Sequence, residues 1–239
     1  MIVSIHQPEH LPWLGFFNKL SNCDLFVILD NVQYRKNYFQ NRNQIIGIHG
    51  AHWISVPIET KGHTNKLIRE MIIANKQQPK WRKRYISLIE TNYRKHPYFY
   101  NIFPLIENII NRDYDNLTLL NMDLIQLFTK ILDIETKIIY ASELNVSGNK
   151  SDLILNICKK LESDNYLAGP SGRDYLNFED FKKSNIKIHY NDFIHPKYKQ
   201  SKQSDFVPFL STLDLLMNED PKKSKEIILS GFQISNKAI

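Results

Sequence analysis

A chain of 239 residues, 42% hydrophobic and 23% charged, is long enough for one large domain with a modest insertion, and apolar enough to bury a core. That composition excludes a disordered chain except at the C-terminal tail, and no stretch approaches the roughly 18 consecutive apolar residues of a membrane helix. The net charge is +6, and Cys23 and Cys158 are the only cysteines. Two thiols exclude a disulfide framework and suit a reducing cytoplasm, where they serve as small buried hydrophobes.

The first residues, "MIVSIH", have neither a basic leader nor a long apolar stretch, and read as a first strand rather than a signal peptide. They run into a proline-rich corner, "HQPEHLP", after which Trp13, Leu14, Phe16, Phe17 and Leu20 fall on helical spacing. "LFVILD", residues 25–30, is a continuous apolar run closed by Asp30, the mark of a strand buried on both faces in a parallel sheet. "RNQIIG" and "HWISVPIE" predict a hairpin or two short strands around Gly47 and Gly50, while "NKLIREMIIAN" fits strand or helix.

Three helical patterns follow between Lys80 and Leu132, with Pro97 and Pro104 placed near helix starts, where a missing N–H does least harm. "TKIIYASEL" returns to strand. "SDLILNICKKL" is an amphipathic helix with Ser151 as its N-cap, "NYLAGPSGRDYL" closes a strand with a tight loop, and "IKIHYND" is a further strand. The alternation predicts one α/β domain spanning 1–239, with a mainly parallel Rossmann-like sheet flanked by helices and a helical insertion over about 80–132.

Charge is concentrated. Between Lys61 and Lys95 ten basic residues face only Glu70 and Glu90. Such a segment is either a solvated lysine-rich face or an electropositive surface that attracts phosphates.

Three corners carry groups suited to chemistry. In open α/β sheets ligands bind beyond the carboxyl ends of the strands, which puts His6, Gln7, His10 and Trp13 at an expected ligand edge. His6 is a candidate general base or hydrogen-bond donor to a phosphate, unless it and Gln7 only bond to backbone in a tight turn; His10 is a weaker candidate, and Trp13 is a stacking wall or core. The second corner, "LDNVQYRKNYFQNRNQ", sets Asp30 at a strand end, followed by Gln33, Tyr34, Arg35, Lys36, Asn41 and Arg42. Aromatics alternating with guanidinium and amide groups suit a stacked ring and a clamped phosphate. Asp30 ranks first among the carboxylates as a base, a ribose ligand or a cap. The third corner, "GPSGRDYL", is a plain turn or an anion nest carrying Ser171, Arg173 and Asp174. It is neither a Walker A loop nor G-x-G-x-x-G, so no cofactor is named by it, and without a G-x-S-x-G elbow serine hydrolysis is disfavoured. His195 and Tyr198 either line the pocket or belong to a structural turn. The histidines show no zinc spacing, so no metal site is expected. Asp214, on the apolar "FLSTLDLLM", reads as a satisfied buried carboxylate.

Five segments together resemble the WbqC-like family of bacteria: "HQPEHLPWLGFFNKL" (6–20), "DLFVILDNVQYRKNYFQNRNQI" (24–45), "WISVPI" (53–58), "YLAGPSGRDYL" (166–176) and "HPKYKQSKQSDFVPFLSTLDLLMN" (195–218). The resemblance covers nearly the whole chain, with one departure: His10 stands where the family has an aromatic residue before Leu-Pro-Trp. It implies surface-polysaccharide (O-antigen) biosynthesis, with transfer of glycine or a small acyl group to an amino sugar on a nucleotide carrier. His6 and Asp30 are then the base candidates. The donor would be linked to tRNA, coenzyme A or an adenylate. A fainter similarity to the His-x-Gly-His turn of pantothenate synthetases and class I aminoacyl-tRNA synthetases fails by one residue of spacing, and "KQSKQ" (199–203) echoes their lysine signature only as chance allows. The competing expectations are an RNA- or tRNA-binding factor, resting on the basic segment, and a non-catalytic scaffold of polysaccharide assembly.

Overall fold

The computed structural model describes residues 1–62, 65–200 and 205–236. The chain opens with β1 (Ile2–His6), α1 (Leu14–Ser21) and β2 (Leu25–Ile28), followed by a hairpin of β3 (Arg42–Gly47) and β4 (Gly50–Ser55). Helices α2 (Trp81–Tyr93), α3 (Phe99–Ile110) and α4 (Leu117–Ile131) lead into β5 (Lys137–Tyr140). Next come α5 (Ser151–Lys160), β6 (Asn165–Ala168), α6 (Phe178–Lys183) and β7 (Lys187–Asn191), then α7 (Thr212–Asn218), α8 (Pro221–Ser230) and β8 (Ile234–Asn236).

The six-stranded sheet has the order β5-β2-β1-β6-β7-β8. All pairs are parallel except β7–β8, which is antiparallel. Counting only the parallel strands in chain order, this is the doubly wound arrangement in which the chain starts at the centre, builds outward to β5, then returns to the other side of β1 with β6. The α/β expectation holds.

Both faces are covered because each strand alternates between two apolar cores. Phe26 and Ile28 join α1, α4 and the hairpin on one side. Val3, Ile5, Leu25 and Val27 join α5 and α6 on the other. The hairpin adds a shelf to the first core: Asn43, Ile45, Ile54 and Val56 are buried while Trp53 and Ser55 face outward. Gly50 closes its two-residue turn at φ +101°, a backbone setting that strains any side chain. Helix α2 packs with Trp81, Tyr85, Ile89 and Tyr93, spaced for one face of a helix.

Three local expectations change. Pro104 lies inside α3, not at its start. It is tolerated there because the turn it interrupts is on the solvent side, where Tyr100 is 71% exposed, so water takes the carbonyl left without a donor. Ser151 is the first residue of α5, not its cap, and its hydroxyl accepts the backbone N–H of Asn177 at 2.8 Å. "NKLIREMIIAN" forms a short 3-10 turn, Ile68–Glu70, whose flanks make isolated bridges (Gln33↔Leu67, Ile72↔Asn116). No helix among the described residues is long and apolar enough to cross a membrane.

Candidate functional site

The point where the winding reverses lies between β1 and β6, and the crevice beyond their carboxyl ends is where such a sheet takes a ligand. His6 ends β1 there. The β1–β6 register (Ser4↔Leu167), continued by two residues, sets Gly169 level with His6. A methyl group placed on Gly169 meets nothing within 4 Å, so this edge is open.

His6 keeps 28% of its side-chain exposure. Its ring sits edge-on to Phe16 at 5.1 Å, and Nδ1–H donates to the Gln7 carbonyl at 3.0 Å. That partner selects the tautomer and leaves the Nε2 lone pair free as a base. Nε2 lies 3.8 Å from Glu9 Oε1. Enclosure by the fold, and then the Lys19 cation, hold the imidazole down to about 3, so it is neutral at physiological pH.

Glu9 and Lys19 were not foreseen. Both are buried, 5% and 4% exposed. Lys19 donates to the Ile5 carbonyl at 2.8 Å, while Glu9 Oε2 has no hydrogen-bond partner. Burial pushes the Glu9 carboxyl up to about 8, with Lys19 pulling the other way, and pushes the Lys19 ammonium down to about 8. At neutral pH the carboxyl is therefore mostly protonated and the ammonium mostly charged. A buried cluster of net positive sign beside His6 favours an anion. In "LGFFNKLS" Asn18 and Lys19 sit inside an apolar run, but spacing alone does not say that either is buried.

His10 lies away from the crevice, fully enclosed between α2 and α4. Its Nδ1–H donates to Asn121 Oδ1 at 2.8 Å and its Nε2 accepts from the Tyr85 hydroxyl at 2.7 Å. Asn121 in turn donates to the Pro8 and Gln40 carbonyls. This network, together with Asn43 donating to the Leu11 carbonyl at 2.8 Å, holds a corner in which Leu11 takes φ +42°. A non-glycine residue in that region costs about 1–2 kcal/mol. Burial lowers the His10 pKa to about 4. A depressed histidine contributes stability above its unfolded value of 6.5 and loses it as pH falls through 4, so protonation favours unfolding by about 3 kcal/mol. Urea unfolding at pH 7 and pH 4 is expected to show a smaller acid loss in His10→Gln than in the wild type, by up to that amount; equal losses would refute it.

Asp30 is on the same edge, one strand over: the Leu29 N–H donates to the His6 carbonyl at 2.7 Å. Its carboxylate is already engaged, accepting the Ser142 N–H at 3.0 Å and the Ser142 hydroxyl at 2.7 Å, which ties β2 to the turn after β5. Its neighbour Asn31 has a buried Oδ1 with no partner. Gln7 Oε1 accepts from Gln40 at 2.6 Å.

The remaining second-corner residues diverge. Tyr34 is buried and donates to Asn41, which donates to the Val56 carbonyl. Gln33 sits in the bridge to Leu67. Arg35 lies over Tyr38 at 4.9 Å and Arg42 over Trp53 at 4.2 Å, both on the outer side of the hairpin, while Lys36 is exposed.

In the third corner Arg173 forks onto Asp192 with two 2.7 Å bonds and reaches Ser235, locking the turn after β6 to β7 and β8; Ser171 and Asp174 are exposed. The segment after β7 lays an aromatic wall on Trp13, the residue before α1. Phe193 meets it edge-on at 5.4 Å and His195 stacks at 6.5 Å. His195 Nε2 is buried without a partner, and burial lowers that histidine's pKa. Tyr198 donates to Asp214 at 2.8 Å. Part of the "KQSKQ" segment, 201–203, lies outside the described residues. The thiols of Cys23 and Cys158 are both pushed up to about 12 by burial, which leaves them unreactive.

The structure thus brings His6, Glu9 and Lys19 together at the end of β1, with Gly169 level with His6 at the end of β6 and Asp30 at the end of β2. The comparisons agree with the sequence motifs. The family described as the WbqC-like protein family matches residues 7–226. The uncharacterized protein Rv1507c of Mycobacterium tuberculosis is 32% identical over 219 residues, covering 90% of this chain and 93% of that protein. No solved structure matches. With its family match running from the first corner to α8, the chain belongs to the WbqC-like protein family.

Proposed function

We propose that this protein is a cytoplasmic transferase of surface-polysaccharide biosynthesis that acylates an amino sugar carried on a nucleotide, with glycine or a small acyl group as the cargo. Family membership suggests the pathway; the chemistry of the crevice suggests the reaction. The observation that carries it is a neutral, partly exposed histidine at the reversal point of the sheet, backed by a buried cluster that favours anions.

The sugar amine attacks the carbonyl carbon of the activated donor, forming the C–N bond. The donor's carrier leaves with the electron pair of the broken bond. His6 Nε2 takes the proton lost by the amine and passes it to the leaving group. The Lys19 charge lowers the cost of the oxyanion that develops in between. An anionic carrier beside His6 raises the imidazole's basicity, so the base strengthens as substrate arrives. Asp30 acts by holding the edge through Ser142.

The test is a thermal-shift screen against UDP-, dTDP- and GDP-linked amino sugars, with His6→Ala in parallel. A ligand at 100 times its dissociation constant adds about 2.7 kcal/mol, or roughly 5–10 °C for a chain of this length. A shift with one nucleotide sugar that shrinks in His6→Ala supports the reading. Silence across the panel at millimolar ligand would count against it.

A further inference from the structure

A second opening lies on the far side of the His10–Asn121 network. The hairpin and α2 enclose a groove of about 320 Å³ lined by Asn41, Trp53, Ser55, Gln78, Trp81 and Arg84, with Tyr85 among the further lining residues. Trp53 is 40% exposed, although the fold needs only the opposite face of its strand to pack. Arg42 covers part of its ring at 4.2 Å and fixes its orientation. Among the described residues the Arg84 guanidinium makes one hydrogen bond, to Gln78 at 3.3 Å.

Around this groove the basic segment resolves into two parts. Arg82 and Arg94 are paired, with Asp113 at 3.6 Å and Glu90 at 3.3 Å. Lys80, Lys83 and Arg84 are exposed on the first turn of α2 and form no ion pair among the described residues. No carboxylate lines the groove. The one charged group in the lining is the Arg84 guanidinium, beside two indole faces. A flat ring on an exposed indole, with an anionic group beside free guanidinium and ammonium groups, is the chemistry of a nucleotide.

We propose that the groove between the β3–β4 hairpin and α2 is a nucleotide-binding site, with the base stacked on Trp53 and the phosphate held by Arg84, inside the wider positive field of exposed Lys80 and Lys83. It is separated from the crevice by buried His10, Gln40 and Asn121, and rests on the groove alone. Within a transferase it would seat the nucleotidyl end of the donor's carrier, whether a free nucleotide derivative or the end of a single-stranded nucleic acid.

Isothermal titration with AMP and with a four-nucleotide single-stranded RNA, each at two salt concentrations, separates these sources. Trp53→Ala and Arg84→Ala are each expected to weaken AMP by about tenfold or more, and His6→Ala to leave it unchanged. Tighter binding of the RNA, with a steeper fall in salt, assigns the site to a nucleic-acid end; equal affinity assigns it to a free nucleotide. Binding of full strength in Arg84→Ala and Trp53→Ala, or none at millimolar AMP and RNA, overturns the proposal. Arg84 is exposed and outside the core, so its variant keeps the test decisive if Trp53→Ala fails to fold.

Discussion

Asp214→Ala is expected to lower the unfolding free energy by about 3–5 kcal/mol, with the melting temperature falling by roughly 6–20 °C. Asp214 has no solvent exposure, and its carboxylate collects three donors from two parts of the chain. Oδ1 accepts the Tyr93 hydroxyl of α2 at 3.0 Å. Oδ2 accepts the Tyr198 hydroxyl at 2.8 Å and the Gln200 amide at 3.1 Å, both from the segment after β7. Alanine strands all three in a dry interior, where each costs about 1–3 kcal/mol, and leaves a cavity as well. Tyr93 also accepts the Ile46 N–H at 3.1 Å, so the damage spreads to the hairpin.

Tyr198→Phe removes one donor and keeps the carboxylate satisfied by the others, so it should cost only about 1 kcal/mol. Because Tyr198 and His195 belong to the wall against Trp13, Asp214→Ala should also change tryptophan emission before global unfolding. Urea titration of the two variants decides the matter; a loss below that of Tyr198→Phe would show that the carboxylate does not anchor this segment.

The same residue shows what a sequence reading can reach. An acid inside "FLSTLDLLM" announces that it must be satisfied, yet nothing local says by whom. The parallel sheet was legible because "LFVILD" and its counterparts are apolar on both faces, a pattern only a covered strand tolerates. His6 was legible because it ends such a strand. The fate of His10 was not: it depends on Asn121 and Tyr85, 111 and 75 positions away. Glu9 and Lys19 escaped because pattern reading places charges outward, whereas the fold buries both at the end of β1. The second-corner cations looked like one site in a linear stretch, but Arg42 stacks over Trp53 of the hairpin while Arg35 lies over Tyr38. β8 had no strong signal either, since an edge strand of three residues is specified by its partner β7 more than by its own pattern.

Replacing His6 by alanine is expected to reduce acyl transfer by about 10²- to 10⁴-fold while weakening the nucleotide sugar by about tenfold or less. The split follows from the geometry. As a ligand contact the imidazole contributes one hydrogen bond at an edge that also feels the Lys19 charge. As a base it is the group at that edge with a free lone pair. The pH dependence separates it from its neighbours. Its own protonation, at about 3 in the free protein, falls below the working range. The alkaline side belongs to Glu9 and Lys19, both near 8. As pH rises through that value the coupled pair loses a proton, and the net positive charge that attracts an anion goes with it. Affinity for the nucleotide sugar should therefore hold from about pH 5 to 7 and fall above 8. In Glu9→Gln the carboxylate cannot form and the alkaline fall should be shallower. In His6→Ala the fall should stay where it is while turnover is lost. Turnover within tenfold of wild type in His6→Ala would remove the histidine from the chemistry and leave the crevice as a binding site only.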